Sequence, residues 1–272
     1  MLSVDDTSEK GNNQMSNTDA SQQASNTQNN INIREKVREK WAKTIAFVSI
    51  VVIALGGIND SWDAVEKMSN FALSQFTDIP SHNKLEHIYI RSSKAVLEEH
   101  FGAPVYIKED VKGRSIEYYD DKRFILSAVT QDNAIVAFLV FPKEGFTPNT
   151  NEHSSGNALL DVTFSNNIGV NDVRVNYSPS VSYYIESNSG GEFSNLYNSI
   201  SGFSETISAL DTETRNKLKK ISDGLMMAHN MNNEIIEFRE SVVPNFYGYS
   251  ILGLGPLENA ILTFTEFRLI SN

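Results

Sequence analysis

Apolar and polar positions change rhythm twice along this chain of 272 residues. Residues 1 to 32 hold seven Asn and four Gln among many Ser and Thr, with almost nothing apolar to bury. Such a stretch cannot offset the entropy lost on ordering, so residues 1-33 are expected to be a disordered tail. Residues 44 to 58, TIAFVSIVVIALGGI, then carry no charge at all. An apolar run with no polar face predicts a helix surrounded by apolar material on every side. From Arg91 onward the pattern breaks into strand-length alternations and capped helices.

The apolar run can be measured against a bilayer. A helix rises about 1.5 Å per residue, so Trp41 to Ile58 would extend roughly 27 Å, near the ~30 Å of a hydrocarbon core. The chain's two tryptophans, Trp41 and Trp62, lie 21 positions apart, about the spacing of the two headgroup layers. Arg34, Lys36, Arg38, Lys40 and Lys43 precede the run, and no basic residue follows until Lys67. Positive flanks resist translocation. The expectation is a transmembrane helix over 41-59 in a bacterial inner membrane, amino terminus in the cytoplasm and carboxyl-terminal domain in the periplasm. Two alternatives stay open, a buried core helix and a cleaved signal. More than forty leading residues and the lack of an Ala-x-Ala site near Leu55 to Asn59 speak against the signal.

Trp62, Val65, Met68, Ala72 and Phe76 recur at three- and four-residue steps and predict a juxtamembrane helix over 60-80. Pro80 should end it, because the residue before proline is pushed out of helical geometry. The stripe suits either a self-association seam or packing on the helix's own domain.

The body, 85-272, reads as α+β. Ser92 to Glu99 predicts a short serine-capped helix, closed by Phe101-Gly102-Ala103-Pro104. Val105 to Ile107, Ser115 to Tyr119, Phe124 to Val129 and Ala134 to Phe141 predict strands, the last two joined by the hairpin-length turn Thr130 to Asn133. Both faces of the strand at 134 to 141 are apolar, as a central strand requires. Leu159 to Phe164, Val173 to Tyr177 and Val181 to Ile185 predict three more strands. Asp211 should cap a helix reaching about His229, Gly253 to Pro256 should form a turn, and Ala260 to Ile270 alternates like a closing strand. The fold class expected is thus a single amino-terminal transmembrane helix followed by an antiparallel-sheet domain with packed helices, in one piece or as two half-lobes split near residue 150.

Residues 91 to 142 resemble, in element order and in the F-G-x-P exit from the helix, the modules of the outer-membrane assembly lipoprotein BamE and of the beta-lactamase inhibitor protein. The stretches 97-LEEHFGAPVYI-107, 122-KRFILSAVTQDNAIVAFLV-140 and 239-RESVVPNFYGYS-250 are similar to an uncharacterised family of bacterial single-span membrane proteins, named after an open reading frame of an enterotoxigenic Escherichia coli strain. These stretches cover under a fifth of the chain. The resemblance implies topology and fold, and it brings no activity with it.

Charge and composition narrow the function classes. Six of the 23 Lys and Arg, and six of the 34 Asp and Glu, lie in residues 1 to 43, so the formal charge of -11 falls on residues 60 to 272. An acidic body repels phosphate backbones, and no nucleic-acid partner is expected. The absence of cysteine excludes disulfides, thiolate nucleophiles and zinc-thiolate sites. His82, His87, His100, His153 and His229 are scattered without a third ligand at metal spacing, so no metal and no cofactor is expected. No nucleophile elbow and no phosphate loop occurs, and no residue is singled out as catalytic. Acidic pairs such as Glu98/Glu99 and Asp120/Asp121 are the material for carboxylate chemistry.

Tyrosines and a neighbouring arginine make good contact surfaces, because they bring area at low entropy cost. Phe246, Tyr247 and Tyr249, after Pro244-Asn245, with Arg239 upstream, are therefore the candidate binding residues, presented from a loop. Tyr118/Tyr119 and Tyr183/Tyr184 form tandem pairs elsewhere. The reading is a membrane-anchored extracytoplasmic binding, sensing or adaptor domain with a protein partner in the envelope. An envelope hydrolase using paired carboxylates, or a membrane component of a stress or defence locus, is the alternative.

Overall fold

Two consecutive residues with positive φ, Asp132 at 51° and Asn133 at 62°, turn the chain back on itself. Asp and Asn tolerate left-handed backbone, and two such residues in a row match the twist of a two-residue hairpin. Strands β1 (Tyr106–Glu109), β2 (Ser115–Asp120), β3 (Phe124–Gln131) and β4 (Ala134–Pro142) form a meander, with β3 and β4 meeting at this turn. Val129 pairs with Ala137 while Thr130 pairs with Ile135, so Val136 is an extra, bulged residue. The bulge puts the consecutive residues Val136 and Ala137 on the same face, while Ile135 and Phe138 serve the other. The computed structural model describes residues 77–151, 154, 158–189 and 195–271.

The second half builds outward-in. Strands β5 (Val170–Tyr177), β6 (Ser182–Asn188) and β7 (Asn198–Ser204) pair in sequence, and β8 (Phe246–Ser250) then inserts between β7 and β4. The result is one eight-stranded sheet, ordered β1-β2-β3-β4-β8-β7-β6-β5, with every neighbouring pair antiparallel. Two glycines permit the central join. A side chain at Gly202 would collide with the Phe246 ring opposite it, and one at Gly248 with the Phe138 carbonyl and the Leu139 side chain. Both are sites of close approach in a strand, where glycine is otherwise disfavoured.

Helices cover both faces. On one, Tyr118, Leu139, Phe141, Ile185 and Phe246 pack against Leu254, Leu257, Leu262 and Ile270, from α5 (Leu254–Glu258), the following turn and α6 (Phe264–Ile270). The other face carries two separate caps. Helices α1 (Ile79–Glu86) and α2 (Ala95–Phe101), with Phe146, Leu159 and Leu160, cover Tyr119, Leu126, Val140, Tyr247 and Tyr249. Helices α3 (Thr212–Met226) and α4 (Asn232–Ser241) and a 3-10 turn at Phe164–Asn166 cover Tyr184 and Phe203. Asp211 caps α3 through the amides of Glu213 and Thr214. Gly224 inside α3 makes room for the Met231 side chain.

The structure corrects the expected fold class. A single continuous sheet stands where a division into half-lobes was open, because β8 hydrogen-bonds to both halves. No helix among the described residues is long and apolar enough to cross a membrane. The expected tail over 1-33, the spanning helix over 41-59 and most of the helix over 60-80 lie outside the described residues. Pro80 starts a helix rather than ending one: it sits in the first turn of α1, where an amide proton would have no intrahelical acceptor. Pro256 is likewise accommodated at the third position of α5, so Gly253 to Pro256 is more than a turn. Residues 264 to 270 form α6 instead of a closing strand. Thr263 and Glu266 make a reciprocal capping box there, a local signal stronger than alternation over so few residues. Leu159 to Phe164 forms no strand.

Candidate functional site

Period-two alternation along β8 sends Tyr247 and Tyr249 to the α1 side of the sheet and Phe246 to the other. The expected loop at 246 to 249 is therefore a central strand with every residue buried. Register then supplies the neighbours. Phe138 pairs with Tyr249 across β4, and Val140 with Tyr247. The rings stand crosswise: Phe138 to Tyr249 is 5.5 Å between centroids at 63°, and Tyr247 to Tyr249 is 6.0 Å at 79°. The Tyr249 hydroxyl donates to the Thr150 carbonyl at 3.2 Å.

Helix α1 lies over these rings and is held down at one end. The Asp121 carboxylate, at the exit of β2, accepts from Ser81 Oγ at 2.5 Å and Lys84 Nζ at 2.7 Å. Arg123 pairs with Asp78 at 2.5 Å, and the His82 ring packs on Phe146 at 4.7 Å. Burial favours the neutral form of Asp121, but its bonds to Lys84, Ser81 and the Arg123 amide outweigh this and hold its pKa below the usual carboxylate value.

Between helix and sheet a cavity of about 40 Å³ remains. Its roof is His82, Leu85 and Glu86 of α1 with Ile88, its floor is Phe138, Tyr247 and Tyr249, and its wall is Pro148 and Asn149. That is room for a few waters or the head of a small molecule. Tyr247 is 4% exposed, and its hydroxyl has no hydrogen-bond partner among the described residues. Burial alone pushes its pKa up. The hydroxyl oxygen is not among the fully buried polar atoms left without a partner, so it stays open to water or to a ligand atom at the cavity. An aromatic floor with a few convergent polar groups is the usual make-up of a small-molecule site.

The other candidates are placed elsewhere. Arg239, on α4, donates from Nε to Glu186 Oε2 at 2.9 Å and from Nη2 to the Phe164 and Asn167 carbonyls at 2.8 and 3.0 Å. Glu186 is fully buried and also accepts from Tyr184 Oη at 2.9 Å and Asn167 Nδ2 at 3.1 Å. Burial pushes its pKa up despite Arg239. A matching arrangement stands across the sheet: buried Glu117 on β2 meets Lys94, Ser115 Oγ at 3.0 Å and Tyr119 Oη at 2.8 Å. β2 and β6 are each the second strand from an edge, so each cap is tied down by one buried glutamate. Sequence reasoning missed both. The signal was a lone glutamate in an apolar strand beside a Tyr-Tyr pair, in Ile116-Glu117-Tyr118-Tyr119 and Tyr183-Tyr184-Ile185-Glu186.

Among the described residues no group of three or more His, Asp or Glu could hold a metal ion. His87 and His100 stack at 4.4 Å, and His153 lies outside the described residues. Of the acidic pairs, Glu98 and Glu99 are exposed on α2, Asp120 pairs with Lys143 at 2.6 Å, and Asp121 holds α1. A more open groove of about 390 Å³ runs past Lys143, Phe146, Asp161 and Asn245. Its cation and amide are already spent, Lys143 on Asp120 and Asn245 on Ser204 and Ser208.

Comparison with solved structures finds a cysteine-rich secretory protein from Staphylococcus aureus subsp. aureus Mu50, at 10% identity and a TM-score of 0.35. The match covers 64% of this chain and 47% of that one, so the chain spans about half the length of that protein. No protein-family model matches the chain, and no curated protein matches it either.

Proposed function

We propose that residues 77–271 form a small-molecule binding and sensing domain, with the cavity beneath α1 as its ligand site. The observation that carries this reading is Tyr247, whose ring is buried while its hydroxyl, met by no described residue, stays accessible at the cavity. The lining supplies ring faces and single hydrogen-bonding groups, which are means of recognition. Helix α1 is also where the chain passes from residues 1–76 into the sheet domain, so a ligand that props or seals it changes the point of entry. A ligand can shift a helix only by binding one of its positions more tightly, and α1 contributes His82 and Glu86 to the cavity. A protein partner that reads the position of α1 completes the scheme.

The test is to soak crystals of the full chain in mixtures of small polar molecules. A molecule bound within hydrogen-bond reach of Tyr247 Oη supports the reading. Ordered water alone at that position in every soak, with molecules bound elsewhere, removes it.

A further inference from the structure

Of the nine residues that line the α1 cavity, Glu86 is the only one carrying formal charge at neutral pH. No basic side chain among the described residues pairs with it. Lys84, two residues back and so off the face of Glu86, is committed to Asp121. Glu86 is solvent-exposed at the rim, and the same lining includes three aromatic rings, Phe138, Tyr247 and Tyr249, with Tyr249 crosswise to each of the other two. Ring faces attract cations and repel anions, because the ring quadrupole is negative on its face. The unmet Tyr247 oxygen can accept from an N–H donor. At longer range the charge of -11, carried by residues 60 to 272, raises the local concentration of cations.

Resting on the binding reading above, we propose that the ligand of this cavity is a small organic cation, an alkylammonium group. Its carbon face packs on Phe138 and Tyr249, its N–H reaches Tyr247, and its charge is balanced by Glu86. Cavity size limits the buried part to a compact head, of the order of a few heavy atoms for about 40 Å³. A free amine and the amine of a phosphatidylethanolamine headgroup share this chemistry.

The experiment titrates the full chain with ethylammonium, ethanol and acetate at matched ionic strength, following melting temperature and amide exchange across residues 79–86. Ethylammonium should raise the melting temperature saturably and slow exchange in α1, while ethanol and acetate do neither. Glu86→Gln and Tyr247→Phe should each weaken ethylammonium about tenfold, and Glu99→Gln on α2 should leave it unchanged. Vesicles containing phosphatidylethanolamine, competed by ethylammonium, separate a headgroup source from a free amine. Two results overturn the cation: undiminished ethylammonium binding in Glu86→Gln, or tighter Tyr247-dependent binding of ethanol or acetate. The second of these leaves the binding reading standing. Failure of every compound to bind in a Tyr247-dependent way overturns both.

Discussion

Tyr247 and Arg239 were grouped together along the chain, yet they are used in opposite ways. Arg239 has its guanidinium filled by Glu186 and two carbonyls, whereas the Tyr247 hydroxyl meets no described residue. Removing one partner of a buried pair leaves the other as an uncompensated charge, at a cost of about 3–5 kcal/mol. Arg239→Ala should therefore lower urea-denaturation stability by about that amount and loosen α4 and the Phe164–Asn166 turn. Arg239→Ala with unchanged stability would mean that the Glu186 network does not hold this cap. The residue types of interest were legible in the sequence, as tyrosines and an arginine near one proline. Their environments were not, because burial is set by strands that pair from far away.

At the scale of elements, α1 is tied to the sheet through a titratable group, the Asp121 carboxylate. Asp121 has a folded pKa below its unfolded value of about 3.9. Its contribution is therefore complete above the unfolded value and is lost as pH falls through the folded one. Hydrogen bonds to a charged group contribute about 1.5–3 kcal/mol. Amide exchange in residues 79–86 should accelerate below about pH 4, ahead of exchange in the sheet. Asp121→Asn should accelerate it already at neutral pH and abolish the acid step. A helix whose protection follows that of the sheet at every pH would contradict this. Elements with strong local signals were readable beforehand: the Asp132-Asn133 turn, the Asp211 cap and the Gly102 exit of α2, whose φ is 75°. α6 was misread because seven residues hold barely two helical turns, too few for alternation and helical period to separate.

For the whole molecule the decisive event is the insertion of β8 between β4 and β7. One strand joins both halves, and Gly248 is the point where the join is tightest. Gly248→Ala forces a methyl group into backbone and should cost about 3 kcal/mol. The loss should appear in both halves together, as faster amide exchange in β2 and in β6 and a single lowered thermal transition. Faster exchange confined to one half would show that the sheet unfolds in two pieces.

What the amino-acid order determined by itself was whatever a few neighbouring residues control: tight turns, helix caps, and the double-sided apolar character of β4. Those features depend on backbone conformations and periodicities contained within a few residues. Only the tertiary structure decided that Phe138 and Tyr249 share a cavity with α1, that Thr150 receives a hydroxyl 99 positions away, and that two buried glutamates tie down the caps. Those contacts arise from non-local strand pairing, and a one-residue change of register would have turned Tyr247 and Tyr249 to the opposite face.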